Sequence, residues 1–167
     1  VELCEYDPPI RISTSPAASC VFDPSSTLLA WSERSRRLHV WDFVHGSDER
    51  IPRATTSVMF LALTFGSDGL LRFTNPEGRI ESWDARKRQL ISKIGKTIPD
   101  GHGPFVVGES GDGRFLVVKQ SELISLRDAQ SGNEIFELPA EKNSVWCASV
   151  SPDGRAVAVG LSDGQIS

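Results

Sequence analysis

The chain lacks any apolar run approaching the ~18 residues that a membrane-spanning helix needs; its best, around residues 58–65, is interrupted by Thr64. Helical periodicity is missing too, since apolar residues nowhere keep a 3.6-residue spacing over the roughly 10–12 residues of an ordinary helix. That excludes a helical bundle. Basic residues are not in excess: the net charge is −4 and the pI near 5.4, which argues against a broad nucleic-acid-binding surface. Cys4, Cys20 and Cys147 are too few and too scattered for a disulfide framework or a metal cluster. They fit a reducing compartment, and a cytoplasmic location is expected. Residues 1–5 have neither the basic start nor the apolar core of a signal peptide. No phosphate loop, zinc spacing or calcium loop can be found, so no cofactor and no metal are expected. With 39% hydrophobic and 24% charged residues the composition is that of a soluble globular protein.

What the chain does have is repetition. Leu38-His39-Val40-Trp41-Asp42 returns as Ile80-Glu81-Ser82-Trp83-Asp84, and in weaker form as Leu123-Ile124-Ser125-Leu126-Arg127-Asp128. Asp42, Asp84 and Asp128 stand 42 and 44 residues apart. A second marker keeps step with the first: Phe22-Asp23-Pro24-Ser25-Ser26, Phe65-Gly66-Ser67-Asp68-Gly69, Glu109-Ser110-Gly111-Asp112-Gly113 and Val150-Ser151-Pro152-Asp153-Gly154. Two markers sharing a period of about 40–45 residues identify an array.

Each period reads as four short strands, a to d. The first has a at 18–22, b at 27–32, c at 37–41 and a poor d near 49–53, weakened by Pro52. The second has 58–65, 70–74, 79–83 and 89–94; the third 105–108, 114–119, 123–127 and 134–138. The fourth has a at 145–150, b at 155–160 and the start of c at 165–166. Strand runs are rich in Val, Ile, Leu, Phe and Trp, and the intervening Asp-Gly, Pro-Glu-Gly and Ser-Gly-Asn segments tolerate the positive φ of tight hairpins. Phe115-Leu116-Val117-Val118 and Ala156-Val157-Ala158-Val159 are apolar at consecutive positions, so both faces should be buried. A lone four-stranded sheet cannot hide both faces and must stack on neighbours.

On these residues the chain resembles the WD-repeat β-propeller family over nearly its whole length. The strand b–turn–strand c segment is similar to residues 28–42 and 70–84, and the Trp-Asp pair stands at Trp41-Asp42 and Trp83-Asp84, with Arg127-Asp128 in the third repeat. The Ser-Pro-Asp-Gly turn is intact only at Ser151-Pro152-Asp153-Gly154, and Gly101-His102 is the sole candidate for the family's Gly-His pair. The resemblance therefore implies an all-β propeller with a degraded buried polar set, leaning on apolar packing. Residues 1–8 read as the outer strand of a preceding blade, 9–53, 54–95 and 96–139 as blades, and 140–167 as an incomplete blade. The expected whole is four blades' worth of four-stranded antiparallel sheets, a segment of a larger ring; closure into a four-bladed ring is the alternative.

Chemistry is scarce. His39 shares a face of strand c with Trp41 and reads as a packed or rim residue, His45 as a water-facing loop residue, and His102, by the resemblance, as a structural residue of a d–a loop. The string from Gly108 to Gly113 falls in phase with the a–b turn and lacks the G-x-S-x-G spacing of a hydrolase elbow. In a propeller the d–a and b–c loops share one face, which here carries Arg34, Arg36, Arg53, Lys119 and Lys142, with Trp146 close by. Arginine and aromatic side chains are favoured binding anchors. The leading expectation is thus a non-catalytic protein–protein interaction scaffold, in the resemblance's sense a regulatory part of a larger signalling protein. Its partner would be a protein or peptide, or other domains of the same parent chain, not nucleic acid or membrane. The alternative is a propeller-type enzyme or cofactor-binding domain with its site in the central channel. That needs acids, histidines or metal ligands on the a strands, where Cys20, Val21, Leu61, Leu63, Val106 and Ala148 are chemically quiet.

Overall fold

A computed structural model describes residues 2–3, 10–11, 17–33, 35, 37–55, 63–95, 105–120, 123–139, 145–151, 153–162, 164 and 166, with the side chains at 2–3, 10–11, 17–18, 48–50, 52–55, 138–139 and 145–146 left aside. Every regular element among these residues is a β-strand. β1 (Glu2–Leu3) pairs antiparallel with β2 (Ile10–Arg11). The expected outer strand at the start of the chain thus has a sequence neighbour as its partner; the rest of residues 1–8 lies outside the described residues. Next come three four-stranded meanders. The first is β3 (Ala17–Phe22), β4 (Leu28–Glu33), β5 (Arg37–Asp42) and β6 (Ser47–Thr55). The second is β7 (Thr64–Phe65), β8 (Leu70–Thr74), β9 (Ile80–Asp84) and β10 (Gln89–Ile94). The third is β11 (Phe105–Glu109), β12 (Phe115–Gln120), β13 (Leu123–Asp128) and β14 (Glu134–Pro139). A hairpin of β15 (Val145–Val150) and β16 (Val157–Leu161) follows, with a single bridge from Gly160 to Ile166 where a third strand was expected. In each four-stranded sheet spatial order equals chain order, the blade of a propeller.

Two strand expectations are corrected. The poor outer strand of the first blade is in fact nine residues long and includes Pro52. It forms an edge, where a missing N–H leaves no ladder bond unmade, and its register against β5 slips between Arg37 and His39. In β15–β16, burial on both faces fails: Val150 and Val159 are buried, but Cys147, Ser149, Ala156 and Ala158 are exposed. One face of this hairpin meets the third blade, and the other has no sheet against it among the described residues. The remaining stretch of the expected strand at 58–65, residues 58–62, lies outside the described residues.

Strand alternation sorts each blade's side chains into two faces, and the faces meet in pairs. Leu28, Ala30, Leu38 and Val40 of the first blade pack with Leu63, Leu71, Phe73 and Trp83 of the second. Ile80 of the second joins Val106, Leu116, Val118 and Ala129 of the third. Val117 and Ile124 of the third join Val150 and Val159 of the hairpin. Leu116, Val117 and Val118 are fully buried in succession because β12 has a neighbour on each side. As expected of packed and solvent residues respectively, His39 is buried and stacks on its cross-strand partner Trp31 at 5.0 Å, while His45 is exposed with Nδ1 2.9 Å from Asp42 Oδ2.

The a–b turns explain their own marker. Gly69, Gly113 and Gly154 hold φ of +74°, +72° and +71°, and the corresponding residue of the first blade, Ser26, is forced to +56°. A side chain in this region is strained by ~1–2 kcal/mol, while glycine loses more backbone entropy on folding. Ser26→Gly is therefore expected to stabilise the protein by about 0.5–1 kcal/mol, read as a rise in the urea midpoint. A lower midpoint would mean that the hydroxyl matters more than the backbone. Ser110 closes its turn as the phase of the marker required: its Oγ donates to Asp112 Oδ1 at 2.6 Å and accepts from Phe115 N–H at 3.0 Å.

Candidate functional site: the cleft between the second and third blades

Not every interior position is apolar. On the face that the second blade turns to the third, Thr64, Arg72, Ser82 and Ser92 are direct cross-strand partners in succession, one from each of β7 to β10. They form a polar row across the whole sheet. The Arg72 side chain is only 5% exposed. Its Nη1 donates to Glu109 Oε1 of β11 at 2.5 Å, and its Nη2 to Asp68 Oδ2 at 2.5 Å. Thr64 Oγ1 donates to the other Glu109 oxygen at 3.0 Å. Gly66 permits this arrangement, since a Cβ there would collide with the Arg72 guanidinium and with both carboxylates. Burial pushes the Glu109 carboxyl up to about 7, against the opposing pull of Arg72 and the Thr64 hydroxyl, with Asp68 adding to the rise. One inter-blade junction therefore holds a cation between two carboxylates, the inner of which titrates near neutrality.

Outward from this junction the two blades diverge around a cleft of about 660 Å³, whose walls include Arg72, Ser82 and Ser92 on one side and Arg114, Asp128 and Gln130 on the other. Asp128 is held below the usual carboxylate range, chiefly by the Ser131 backbone N–H and hydroxyl. Between the first and second blades the corresponding cleft is smaller, about 300 Å³. There Arg86 reaches across from the c–d turn of the second blade to Asp23 at 3.5 Å and to Thr27 of the first. In the repeat register Gln130 occupies the place of Arg86, so among the described residues the larger cleft has no such strap. Two buried polar atoms of the larger cleft's wall, Arg72 Nε and Ser82 Oγ, have no hydrogen-bond partner among the described residues.

The second blade also carries a polar set that the degraded signature hid. Asn75 Nδ2 donates to Glu81 Oε1 at 2.8 Å, Trp83 Nε1 donates to Glu81 Oε2 at 2.7 Å, and Lys93 Nζ stands 2.8 Å from Glu81 Oε1. Asn75 Oδ1 accepts from the N–H groups of Glu77 and Arg79 and so ties down the b–c turn. The expectation that the blades rely on apolar packing holds for the inter-blade cores; in this blade a glutamate-centred set works beside it.

Of the residues read from the sequence as binding anchors, Lys119 lies near the end of β12, half-buried. Arg53 and Trp146 lie in β6 and β15, their side chains outside the described residues, and Arg34, Arg36 and Lys142 fall wholly outside. Lys119 is not among the residues that line the cleft. Sequence reasoning missed Arg72, Glu109 and Ser82. The available signal was Arg72 itself, a cation inside the apolar run Leu70-Leu71-Arg72-Phe73 of a b strand. Among the described residues no group of three or more His, Cys, Asp or Glu side chains is placed to hold a metal ion.

Comparison with known proteins agrees with the repeat pattern in part. Over 66 residues, 40% of the chain, it is 36% identical to WD repeat-containing protein 3 of Mus musculus, and equally to that of Homo sapiens. The aligned stretch covers 7% of the length of these relatives. No family model matches the chain.

Proposed function

We propose that this chain is a non-catalytic protein–protein interaction scaffold of the WD-repeat kind, serving as a regulatory portion of a larger signalling protein in the cytoplasm. The observation that carries the reading is the stack of four-stranded sheets joined by short polar turns, a rigid support on which loops can vary freely. The partial likeness to WD repeat-containing protein 3 supports it. So does the resemblance of the repeats to a family whose members bind other proteins. The partner is a protein or peptide, or another domain of the same parent chain, and the contact is made on the d–a and b–c loop face by Arg34, Arg36, Arg53, Lys119, Lys142 and Trp146.

The test is capture of partners from a lysate by the intact protein, wild type against Trp146→Ala and Arg34→Ala. One or both variants should lose specific partners while keeping the wild-type melting temperature. An unchanged set of captured proteins would remove this face from the proposal.

A further inference from the structure

We propose that the Arg72–Glu109 junction is a proton-operated latch: protonated Glu109 holds the second and third blades shut on each other, and ionised Glu109 lets them open transiently onto the neighbouring cleft, where water reaches the carboxylate. Such a latch governs how the blades are held together. It operates whichever face binds a partner, and so goes beyond the scaffold reading.

The charges at the junction do not balance. Arg72 is one cation between two carboxylates, with Glu109 Oε1 on Nη1 and Asp68 Oδ2 on Nη2, each at 2.5 Å. When both acids are ionised, one negative charge is in excess. The Asp68 side chain is 42% exposed and shares its charge with water, whereas that of Glu109 is 3% exposed and cannot. The excess is therefore relieved by a proton on Glu109 or by water reaching it. The proton has a place ready. Thr64 Oγ1 lies 3.0 Å from Glu109 Oε2, and a hydroxyl donates to a carboxylate but accepts from a carboxylic acid, so Thr64 and Arg72 satisfy both forms. Ionisation changes the charge of the junction and leaves its hydrogen bonds in place. Water is close by, since Asp68 and Arg72 stand on the wall of the cleft. Burial pushes the carboxyl up to about 7, which sets the changeover in the neutral range. Among the described residues Arg72 and Asp68 are the charged groups that face Glu109. β15, which packs on β11, has no charged residue, and Lys119 of β12 lies opposite Phe105 at the far end of β11. Asp112, in the turn that follows Glu109, is engaged by the Ser110 hydroxyl and the Arg114 N–H. The repeat also marks this pair as exceptional. By strand register the equivalent pair is Ala30 and Phe65 between the first and second blades, and Val117 and Val150 between the third blade and the hairpin. Each of those pairs lies in a packed apolar cluster. Apolar pairs hold at every pH, and buried ion pairs are seldom the more stable choice. An ionisable pair makes the hold at this one junction conditional.

The test is native-state hydrogen exchange of the full chain at pH 6 and pH 8 in low urea, read as protection factors so that the intrinsic pH dependence of exchange is removed. Val106 N–H donates to Thr74 Oγ1 across this junction at 3.3 Å. Leu63 N–H, which reaches Ser19 Oγ across the first junction at 3.5 Å, is the control. Val106 should lose about tenfold in protection from pH 6 to pH 8, the ratio that a carboxyl moving from 4.5 to about 7 gives over this window. The loss should depend little on urea, because a local opening exposes little surface. Leu63 should show no such urea-independent loss, and Glu109→Gln should abolish it at Val106. In wild type the Glu109 side-chain carbon should titrate between pH 6 and pH 8. Three results would overturn the latch: a carboxyl that titrates below pH 5, a loss at Val106 that carries the full urea dependence of global unfolding, or an equal loss in Glu109→Gln. If Glu109→Gln does not fold, the first two, measured on wild type, decide.

Discussion

At pH 9, where Glu109 is ionised in the wild type, Arg72→Met is expected to destabilise the protein by about 3–5 kcal/mol, the usual cost of removing one partner from a buried ion pair. Glu109, with a side chain only 3% exposed, would be left inside without its cation, and Asp68 would lose its partner across the turn. The loss comes from the stranded carboxylate rather than from the pair's own worth. Accordingly, the double variant Arg72→Met/Glu109→Leu should return to within about 1–2 kcal/mol of wild type, since apolar replacement of both partners is often nearly neutral. Urea denaturation measures both. If Arg72→Met costs less than about 1 kcal/mol, the pair behaves as a solvent-exposed one and the junction is looser than described.

The second large effect is one of pH. In the unfolded chain Glu109 titrates near the ordinary glutamate value of 4.5, and in the fold near 7. Between these values the folded state holds a proton that the unfolded state has released, so stability falls as pH rises. The Glu109 contribution is fully present below about pH 4.5, declines through 7 and is level above. The difference in pKa corresponds to about 3 kcal/mol. Between pH 5 and pH 8 wild type should lose about 2–3 kcal/mol more than Glu109→Gln, whose amide keeps acceptors for Arg72 and Thr64 but does not titrate. Comparison with the variant isolates Glu109 from every other group that titrates. The aspartates held low by their turns, Asp23, Asp42, Asp84, Asp112, Asp128 and Asp153, act in the opposite direction but below pH 4. Parallel pH profiles for wild type and Glu109→Gln would show that Glu109 is ionised and satisfied throughout.

The blades were legible because their signals are local. A b strand, a turn residue with positive φ and a c strand ending in Asp lie within about fifteen residues of one another, and every turn that the Asp-Gly marker assigned, from Gly69 to Gly154, adopts the backbone that glycine allows. Even Ser26, which breaks the glycine rule, was found by its place in the period. The cleft was not legible for the opposite reason. Arg72 and Glu109 are 37 residues apart and meet only because one blade lies on the next. Period marks equivalent positions in successive blades, and this pair joins non-equivalent ones, a b strand to the end of an a strand. Similarly, nothing in the local pattern Ile80-Glu81-Ser82-Trp83-Asp84 marks Glu81 as buried. It is buried because Trp83, Asn75 and Lys93 all turn their polar atoms to it. Pro52 misled by rule: proline weakens an interior strand, but β6 is an edge.

Radial stacking of small meanders, each blade facing the next through its b and c strands, underlies the scaffold, the charged junction and the latch alike. Methyl–methyl nuclear Overhauser effects on a selectively labelled sample test it most directly. Ile80 should show cross-peaks to the methyls of Val106, Leu116 or Val118, and Val117 to those of Val150 or Val159, with none between Ile80 and Val159. Cross-peaks joining Ile80 to Val159, or none between Ile80 and the third blade, would mean that the sheets are layered in some other way and would contradict the account.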